Sequence, residues 1–180
     1  KYISRWSLMR NSQTENIQEH SHMTAVIAHA LGIIRRDVFG VPCDPEKLVA
    51  VALYHDCSEI ITGDLPTPIK YYNDEIKNAY YEMEDKASRQ LLKTLPAELQ
   101  PGFAEVFCEN PDIPGIELVK AADRLSAYIK CIEERRGGND DFLSAEKQTL
   151  SRLISSNLPE VDYFIDRFIP SFEHTLDDLR

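Results

Sequence analysis

The segment LYHDCSEIITGDLPTP, residues 53–68, sets one histidine and three carboxylates inside an apolar stretch: His55, Asp56, Glu59 and Asp64. On a helix, His55 and Glu59 lie four residues apart and share a face, and Asp56, rotated by ~100°, still reaches a common point. An ionised carboxylate in apolar surroundings needs a partner charge or a metal. A divalent cation is a natural partner for this set, provided that other parts of the chain supply further ligands.

Further ligands are few, because the chain contains only five histidines. His20 lies near the start of a predicted helix, on its apolar stripe, whereas His22 and His29 share another face. In the segment GIELVKAADRLSAYIKCIEERR, Asp123 is flanked by small residues on the apolar side of the helix. An aspartate in that position needs a cation or strong hydrogen-bond donors.

Each of these residues also has a purely structural interpretation. A histidine in a helix is more often a hydrogen-bonded core residue than a metal ligand. Asp56 or Asp123 alone could pair with an arginine such as Arg10 or Arg124, and Glu59 alone could be a charge on a helix surface. The spacing by itself therefore leaves both a metal site and a set of separate structural roles open.

The composition limits the class of protein. A chain of 180 residues and 20.6 kDa, with 43% hydrophobic and 28% charged residues, is typical of one globular domain. No apolar run approaches the ~18 residues of a membrane span, and no signal-peptide pattern is present, so we expect a soluble, cytoplasmic protein. A formal net charge of -10 disfavours binding to a nucleic-acid polymer or an anionic membrane. The four cysteines have no CxxC spacing, and we interpret them as reduced packing residues.

Helical periodicity dominates the chain, which predicts an all-α fold. Asn16 and Glu19 form a capping box for a first helix that runs to about Arg36. A second helix begins at the N-cap Asp44 and ends before Gly63. This second helix is apolar nearly all round and is therefore predicted to be central.

The remaining chain also follows a helical pattern, interrupted by turns. Residues 64–68, DLPTP, predict a rigid turn, because Pro66 and Pro68 lack backbone donors and restrict the residues before them. Pro170 is expected to bend the last helix. The predicted helices after the turn lie at about 73–95, 102–109, 116–136, 141–156 and 160–179.

Three ordered segments, RWSLMRNSQTENIQEHS, YHDCSEIITGDLPTPIKYY and KAADRLSAYIKC, closely resemble the bacterial 5'-deoxynucleotidases of the HD-domain metal-dependent phosphohydrolase superfamily. The resemblance extends from Arg5 to about Phe172. The pattern H…HD…D is loose by itself, and the RW, TEN, EHS and TGDLPTP segments make the match specific. The resemblance implies a single HD-domain helical bundle over residues 1–180, with a buried metal site. The implied metal ligands are His20, His55, Asp56 and Asp123.

The resemblance also implies roles for other residues. Glu59 would assist catalysis and Asp64 would lie near the attacking water, although the sequence leaves open which of the two positions that water. Arg5, which offers a fork for phosphate, would also act in catalysis, and Trp6 would contact the nucleotide. The family carries residues before this Arg-Trp pair that are absent or trimmed here. The implied substrate-binding residues are Arg5, Trp6, His20, Asp56, Asp64, Leu65, Pro66, Thr67 and Asp123.

The predicted function is that of a phosphoric monoester hydrolase, which converts deoxyribonucleoside 5'-monophosphates to deoxyribonucleosides and phosphate. Mixed imidazole and carboxylate ligation suits Mn, Co, Fe, Ni or Zn better than Ca. Two alternatives are another HD-domain nucleotide phosphohydrolase, acting on dNTPs or cyclic nucleotides, and a non-catalytic HD-like nucleotide-binding module. The resemblance implies a homodimer, and the apolar residues of DYFIDRFIPSFEHTL, residues 162–176, could form a subunit interface or core.

Overall fold

The computed structural model describes residues 1–107, 112–175 and 177. Within them, a π-helical turn at Ile34–Val38 continues the first helix, and 3-10 turns lie at Asp140–Phe142 and Ile169–Glu173. These residues form no strand, only an isolated bridge between Ser4 and Asn16. The all-α prediction is confirmed. The α-helices are α1 (Ile17–Ile33), α2 (Pro45–Tyr54), α3 (Glu59–Thr62), α4 (Thr67–Lys70), α5 (Asp74–Leu92), α6 (Gln100–Phe107), α7 (Glu117–Arg136), α8 (Leu143–Ile154) and α9 (Pro159–Arg167).

The starts of α1 and α2 follow the predicted capping signals. The Asn16 side chain accepts a hydrogen bond from the backbone N–H of Glu19, and the Glu19 carboxylate accepts one from the backbone N–H of Asn16 at 3.0 Å. This is the predicted capping box. At α2, the Asp44 carboxylate accepts a hydrogen bond from the backbone N–H of Lys47 at 3.0 Å, and Pro45 opens the first turn.

The second helix was predicted to be continuous, and this prediction is wrong. α2 ends at Tyr54, tight turns occupy residues 55–58, and α3 ends at Thr62, followed by Gly63 with a φ of 71°. The predicted turn at 64–68 is also too long, because α4 already begins at Thr67. Pro68 lies in the first turn of α4, where a missing backbone donor is tolerated.

The later helices differ from prediction mainly at their ends. The predicted end of the fourth helix at Glu109, with Cys108, lies outside the described residues. The helix predicted from residue 141 starts with a 3-10 turn. The last helix is not a bent helix to residue 179: α9 ends at Arg167, and a 3-10 turn that contains Pro170 follows it, since proline cannot donate the backbone hydrogen bond that would extend α9. Residues 176 and 178–180 also lie outside the described residues.

The core lies where α1 packs against α2 and α7. Gly32 permits the close approach of α1 to the start of α2, since a Cβ atom at this position would lie 3.0 Å from the Cα atom of Pro45. Cys131 is a buried free thiol, as expected for a packing residue. In the described part of the chain, no helix is long and apolar enough to cross a bilayer. Fully buried residues on the three helices include Leu31, Leu48, Leu118, Leu125, Ile129 and Ile132.

A buried charged cluster attaches the N-terminal segment to the C-terminal part of α7. The side chain of Glu134 is 1% exposed. Its carboxylate accepts hydrogen bonds from the backbone N–H groups of Ser12 at 2.8 Å and Gln13 at 3.2 Å, and from the side chains of Lys130 and Asn139. Burial alone would raise the pKa of Glu134, but these hydrogen bonds outweigh burial and lower it to about 2.

This cluster predicts a loss of stability in acid. Because the pKa of Glu134 is lower in the folded chain than in the unfolded chain, its stabilisation is complete above about pH 4.5 and is lost as the pH falls toward about 2. We therefore expect the free energy of unfolding to differ most between wild type and E134Q at neutral pH, and least near pH 2. Denaturant titrations across this range measure the difference. E98Q, which changes an exposed glutamate, is the control, and a difference independent of pH would contradict the prediction.

Candidate metal centre and active site

His20 lies in the first turn of α1, and its side chain is fully buried against α7. Its Nε2 atom lies 3.0 Å from Oδ1 of Asp123, and its Nδ1 atom lies 3.1 Å from the hydroxyl oxygen of Ser126. Asp123 and Ser126 are three residues apart on α7, so one face of that helix contacts both ring nitrogens. Ser126 therefore orients the imidazole so that Nε2 faces Asp123.

His55 follows the last residue of α2 and lies beside His20, with the two ring centroids 5.2 Å apart. Its Nδ1 atom lies 2.7 Å from the backbone oxygen of Ala52. A carbonyl oxygen only accepts hydrogen bonds, so Nδ1 carries the proton in this contact. In the neutral ring, Nε2 therefore keeps a free lone pair, which is the form in which histidine binds a metal.

His20, His55 and Asp123 form a group whose ligand atoms all lie within 4.8 Å of one another. The Asp56 carboxylate lies beside this group, with Oδ2 3.1 Å from Nε2 of His55 and 3.5 Å from Nε2 of His20. Burial alone would raise the pKa values of Asp56 and Asp123, but the adjacent imidazoles hold both below their usual range. Negative charge is thus retained in a buried place, as a cation site requires.

Unpaired polar atoms support this assignment. In the described part of the chain, five buried side-chain polar atoms lack a hydrogen-bond partner, although such atoms are rare in folded proteins. Nε2 of His55 is one of them: it is close to Asp56 but lacks hydrogen-bond geometry. The donor set therefore fits a divalent metal ion. Four of the five atoms belong to the site or to the segment next to Arg5: Trp6 Nε1, Asn11 Oδ1, His55 Nε2 and Glu59 Oε2.

The tight turns after α2 determine how the acidic residues face the histidines. The backbone N–H groups of Cys57, Glu59 and Ile60 each donate to the carbonyl three residues before, as in a 3-10 helix. Side chains three residues apart are eclipsed in such a turn, so Asp56 and Glu59 point the same way. The predicted pairing of His55 with Glu59 on one α-helical face is therefore replaced by the pairing of Asp56 with Glu59.

Glu59 is a buried carboxyl group, 6% exposed, at the start of α3. Burial, followed by the negative charges of Asp56 and Asp64, raises its pKa to about 9. The direction of this shift favours the protonated, neutral form of Glu59. The structural alternative of a surface charge is wrong for Glu59.

Arg5 brings a positive charge to this acidic site. Its side chain is 12% exposed, its Nε donates to the Glu15 carboxylate at 3.0 Å, and its Nη1 lies 3.6 Å from Oδ2 of Asp56. Burial alone would lower the pKa of Arg5, but the charges of Asp123 and Asp56 outweigh it and raise the pKa. Asp56 thus has an arginine neighbour, but it is Arg5, whereas Arg10 pairs with Asp141 at 3.4 Å.

The turn after α3 carries Asp64, Leu65 and Pro66, all half-buried, and then Thr67, which is exposed. Burial, partly offset by the charge of Arg5, raises the pKa of Asp64. Sequence reasoning missed that α5 supports this turn: the hydroxyl group of Tyr80 donates to the backbone oxygen of Gly63 at 3.0 Å. Tyr80 is 5% exposed, and this burial is visible only in the structure.

Trp6 follows Arg5 and adopts a left-handed backbone conformation, with a φ of 56°. Its ring packs against Phe142 with centroids 5.2 Å apart, while its indole N–H lacks a partner. One side of Trp6 therefore belongs to the packed core. The unpaired donor leaves a ligand contact possible as well.

The sequence matches a known family over most of its length. A family model described as 5'-deoxynucleotidase YfbR-like matches residues 1–172. The chain is 43% identical over 180 residues to the 5'-deoxynucleotidase of Erwinia tasmaniensis, with 99% of this chain and 91% of that protein covered. It is 45% identical over 180 residues to the 5'-deoxynucleotidase of Vibrio cholerae, with 99% and 93% covered.

Solved structures share the fold. The HD-domain phosphohydrolase of Listeria innocua superposes with a TM-score of 0.82 at 24% identity, covering 94% of this chain and 82% of that chain. The cyanophage S-2L HD phosphohydrolase bound to dA and one catalytic Zn²⁺ ion superposes with a TM-score of 0.63 at 23% identity, covering 97% and 92%. The predicted HD-domain fold is confirmed. Together with the family match and the near-complete alignment to curated relatives, this shows that the chain belongs to the YfbR-like 5'-deoxynucleotidase family.

Proposed function

We propose that this chain is a metal-dependent phosphoric monoester hydrolase that converts deoxyribonucleoside 5'-monophosphates to deoxyribonucleosides and phosphate. The observation that carries the proposal is the meeting of the buried His20 with the half-buried His55 and Asp123, with Asp56 beside them. It occurs in a chain whose curated relatives are named 5'-deoxynucleotidases.

The proposed metal ligands are His20, His55, Asp56 and Asp123. Two imidazole nitrogens and two carboxylates suit Mn, Co, Fe, Ni or Zn, and a solved HD phosphohydrolase of similar fold binds one catalytic Zn²⁺. The unpartnered Nε2 atom of His55 supports an ion at this point. When bound, such an ion lowers the pKa of water and neutralises charge on phosphoryl oxygens.

Three residues around the ligands are proposed to act on the substrate. The Arg5 guanidinium binds the phosphate, because a planar fork of donors matches its oxygens and the rest of the site is acidic. Glu59 donates a proton to the leaving 5'-oxygen, a role that its raised pKa supports. Asp64, half-buried on the adjacent turn, orients the attacking water.

The sugar is proposed to lie against Trp6 and the turn formed by Leu65, Pro66 and Thr67. An apolar wall leaves a ribose 2'-hydroxyl without a hydrogen-bond partner. Discrimination against one added hydroxyl by such a wall is modest, on the order of 10²-fold. Selectivity above that level would need close packing by the turn as well.

A homodimer in the cytoplasm is also proposed, on the basis of the family resemblance. The apolar residues of segment 162–176 contribute to the core, since Phe164 and Ile169 are buried. Phe168 stacks on Phe164, with centroids 4.9 Å apart, and is 41% exposed. A subunit contact in this segment is therefore limited to exposed side chains such as Phe168.

A phosphate-release assay with matched substrates tests the function. We expect the purified protein to hydrolyse dAMP in the presence of Mn²⁺ or Co²⁺, to lose this activity with EDTA, and to act far less on AMP, dATP, 3'-dAMP and cyclic AMP. Equal turnover of AMP, or preference for dATP or cyclic AMP, would assign the chain to another HD-domain activity. Binding of dAMP without release of phosphate under any metal condition would favour the non-catalytic nucleotide-binding module.

A further inference from the structure

Residues 5–13, here called the N-terminal arm, form a segment of bends and turns before α1. Arg5 is fixed at one end, because its backbone N–H donates to the carbonyl oxygen of Glu15 at 2.9 Å. In the middle, the side-chain amide of Asn11 donates to the backbone oxygens of Trp6 at 3.1 Å and Met9 at 2.9 Å. One backbone hydrogen bond closes a turn within the arm, from the N–H of Met9 to the carbonyl oxygen of Trp6 at 2.9 Å, and side-chain contacts hold the rest of its length.

The far end of the arm is held by Lys130, Glu134 and Asn139, here called the clasp. All three residues are buried, with exposures of 5%, 2% and 3%. Besides the two backbone N–H groups that donate to Glu134, the ammonium group of Lys130 donates to the backbone oxygen of Gln13 at 2.5 Å. The clasp therefore binds both donors and acceptors of the arm's backbone.

The third member of the clasp extends this contact toward Trp6. The side-chain amide of Asn139 donates to the backbone oxygen of Arg10 at 2.7 Å and to the Glu134 carboxylate at 2.7 Å. A buried charge without a partner costs free energy, so loss of one clasp residue destabilises the other two. The arm is thus held at Arg10 and Gln13 by one connected network.

The clasp and Trp6 also contact the same aromatic residue. Phe142, in the 3-10 turn just after Asn139, is fully buried. Trp6 packs on one part of its ring, and the Lys130 ammonium lies 5.9 Å from its centroid. Trp6 has a φ of 56°, which a non-glycine residue keeps only when its surroundings impose it.

We propose that the clasp is a positioning device for the substrate: Glu134, with Lys130 and Asn139, holds the N-terminal arm so that Arg5 and Trp6 face the nucleotide. This inference rests on the proposed function, in which those two residues contact the substrate. Glu134 touches no substrate atom in this proposal. Its effect reaches the site through the backbone of the arm and through Phe142.

The test uses E134Q, which retains the shape of the side chain but removes its charge. We expect the KM for dAMP to rise about tenfold or more with a smaller change in kcat, because misplacement of positioning groups by about 1 Å weakens substrate contacts strongly. Divalent-metal affinity should stay unchanged. N139A, which removes only the amide contacts, is the milder variant and should shift KM in the same direction if E134Q folds poorly.

A second readout does not depend on activity. Trp6 is the only tryptophan of the chain, so its fluorescence reports on the arm directly. We expect E134Q and N139A to shift Trp6 emission to longer wavelength and to increase its quenching by acrylamide. The matched control is E160Q, because Glu160 is an equally buried glutamate, paired with Arg35 at 2.6 Å, in α9 rather than at the arm.

Three outcomes distinguish the possibilities. A rise in KM and in quenching for the clasp variants, but not for E160Q, supports the proposal. The proposal is overturned if E160Q shows equal changes, or if both clasp variants keep the wild-type KM and quenching. Glu134 then only stabilises the fold. If the wild-type protein hydrolyses no nucleotide, the proposed function fails, while Trp6 quenching still decides whether the clasp holds the arm.

Discussion

D123N is expected to abolish binding of one divalent ion and to reduce the kcat for dAMP by about 10³-fold or more, because a catalytic metal contributes several kcal/mol of transition-state stabilisation. Asparagine keeps the shape of the side chain but loses the charge. The substitution also removes the negative charge that faces Nε2 of His20 at 3.0 Å. The Asp123 side chain is 38% exposed, so the neutral amide should be tolerated by the fold.

Metal content by mass spectrometry, calorimetric titration with Mn²⁺ and phosphate release together measure this effect. E133Q is the matched control, because Glu133 is an exposed acid on the same helix. It should bind metal and hydrolyse dAMP as the wild type does. Wild-type metal stoichiometry in D123N would show that Asp123 is not a ligand, and the site would then have to be reassigned around His55 and Asp56.

Helix starts and fold class could be predicted because they depend on local chemistry. The capping box of Asn16 and Glu19 and the N-cap Asp44 satisfy backbone donors within three residues, and the structure contains both. Helix ends were less predictable. Tertiary contacts and prolines decide whether a turn continues as an α-helix or a 3-10 helix, as at Pro68 and Pro170.

The candidate site could be predicted only in part from the residues themselves. The ligands of the group come from α1, the end of α2 and α7, and no spacing rule connects three separate helices. Spacing also gave no preference for His20 over His22 and His29, and the family resemblance made that choice. In the structure, His20 is fully buried at the meeting point, whereas His22 is exposed and His29 is half-buried on the outer side.

Helical periodicity wrongly predicted one continuous second helix. The helical pattern of residues 45–62 predicts one continuous helix, but residues 55–58 form a tighter turn that aims Asp56 and Glu59 in one direction. Mid-helix tightening of this kind often marks functional positions. This turn leaves Glu59 buried with its Oε2 atom unpaired, which costs free energy.

In the proposed function, Arg5 would let an acidic protein receive an anionic substrate. The formal net charge of -10 repels phosphate at long range. Within the site, the buried guanidinium lies among Glu15, Asp56 and the other carboxylates, so these acids hold a positive charge in place instead of presenting only negative charge. A cation at the ligand group would make the net charge of the site still less negative. Phosphate binding should therefore depend on the metal and on Arg5 together.

E59Q is expected to lower the kcat for dAMP by about 10²- to 10⁴-fold, the usual contribution of a general acid or base, while metal affinity and KM stay near wild type. Glutamine has the same shape as the protonated carboxyl group but cannot transfer a proton. The pocket favours a neutral group, since burial and its acidic neighbours raise the pKa of Glu59. The fold should therefore tolerate the amide, and thermal unfolding can verify this.

Glu75 provides the control for this variant, because it is an exposed glutamate in the first turn of α5, and E75Q should retain full activity. Single-turnover assays at saturating dAMP separate the chemical step from binding. If E59Q hydrolyses dAMP at the wild-type rate, proton transfer must pass through another group, and Asp64 becomes the residue to substitute next. If E59Q loses metal as well as activity, Glu59 belongs to the ligand set, because a residue that only moves a proton would leave the ion bound.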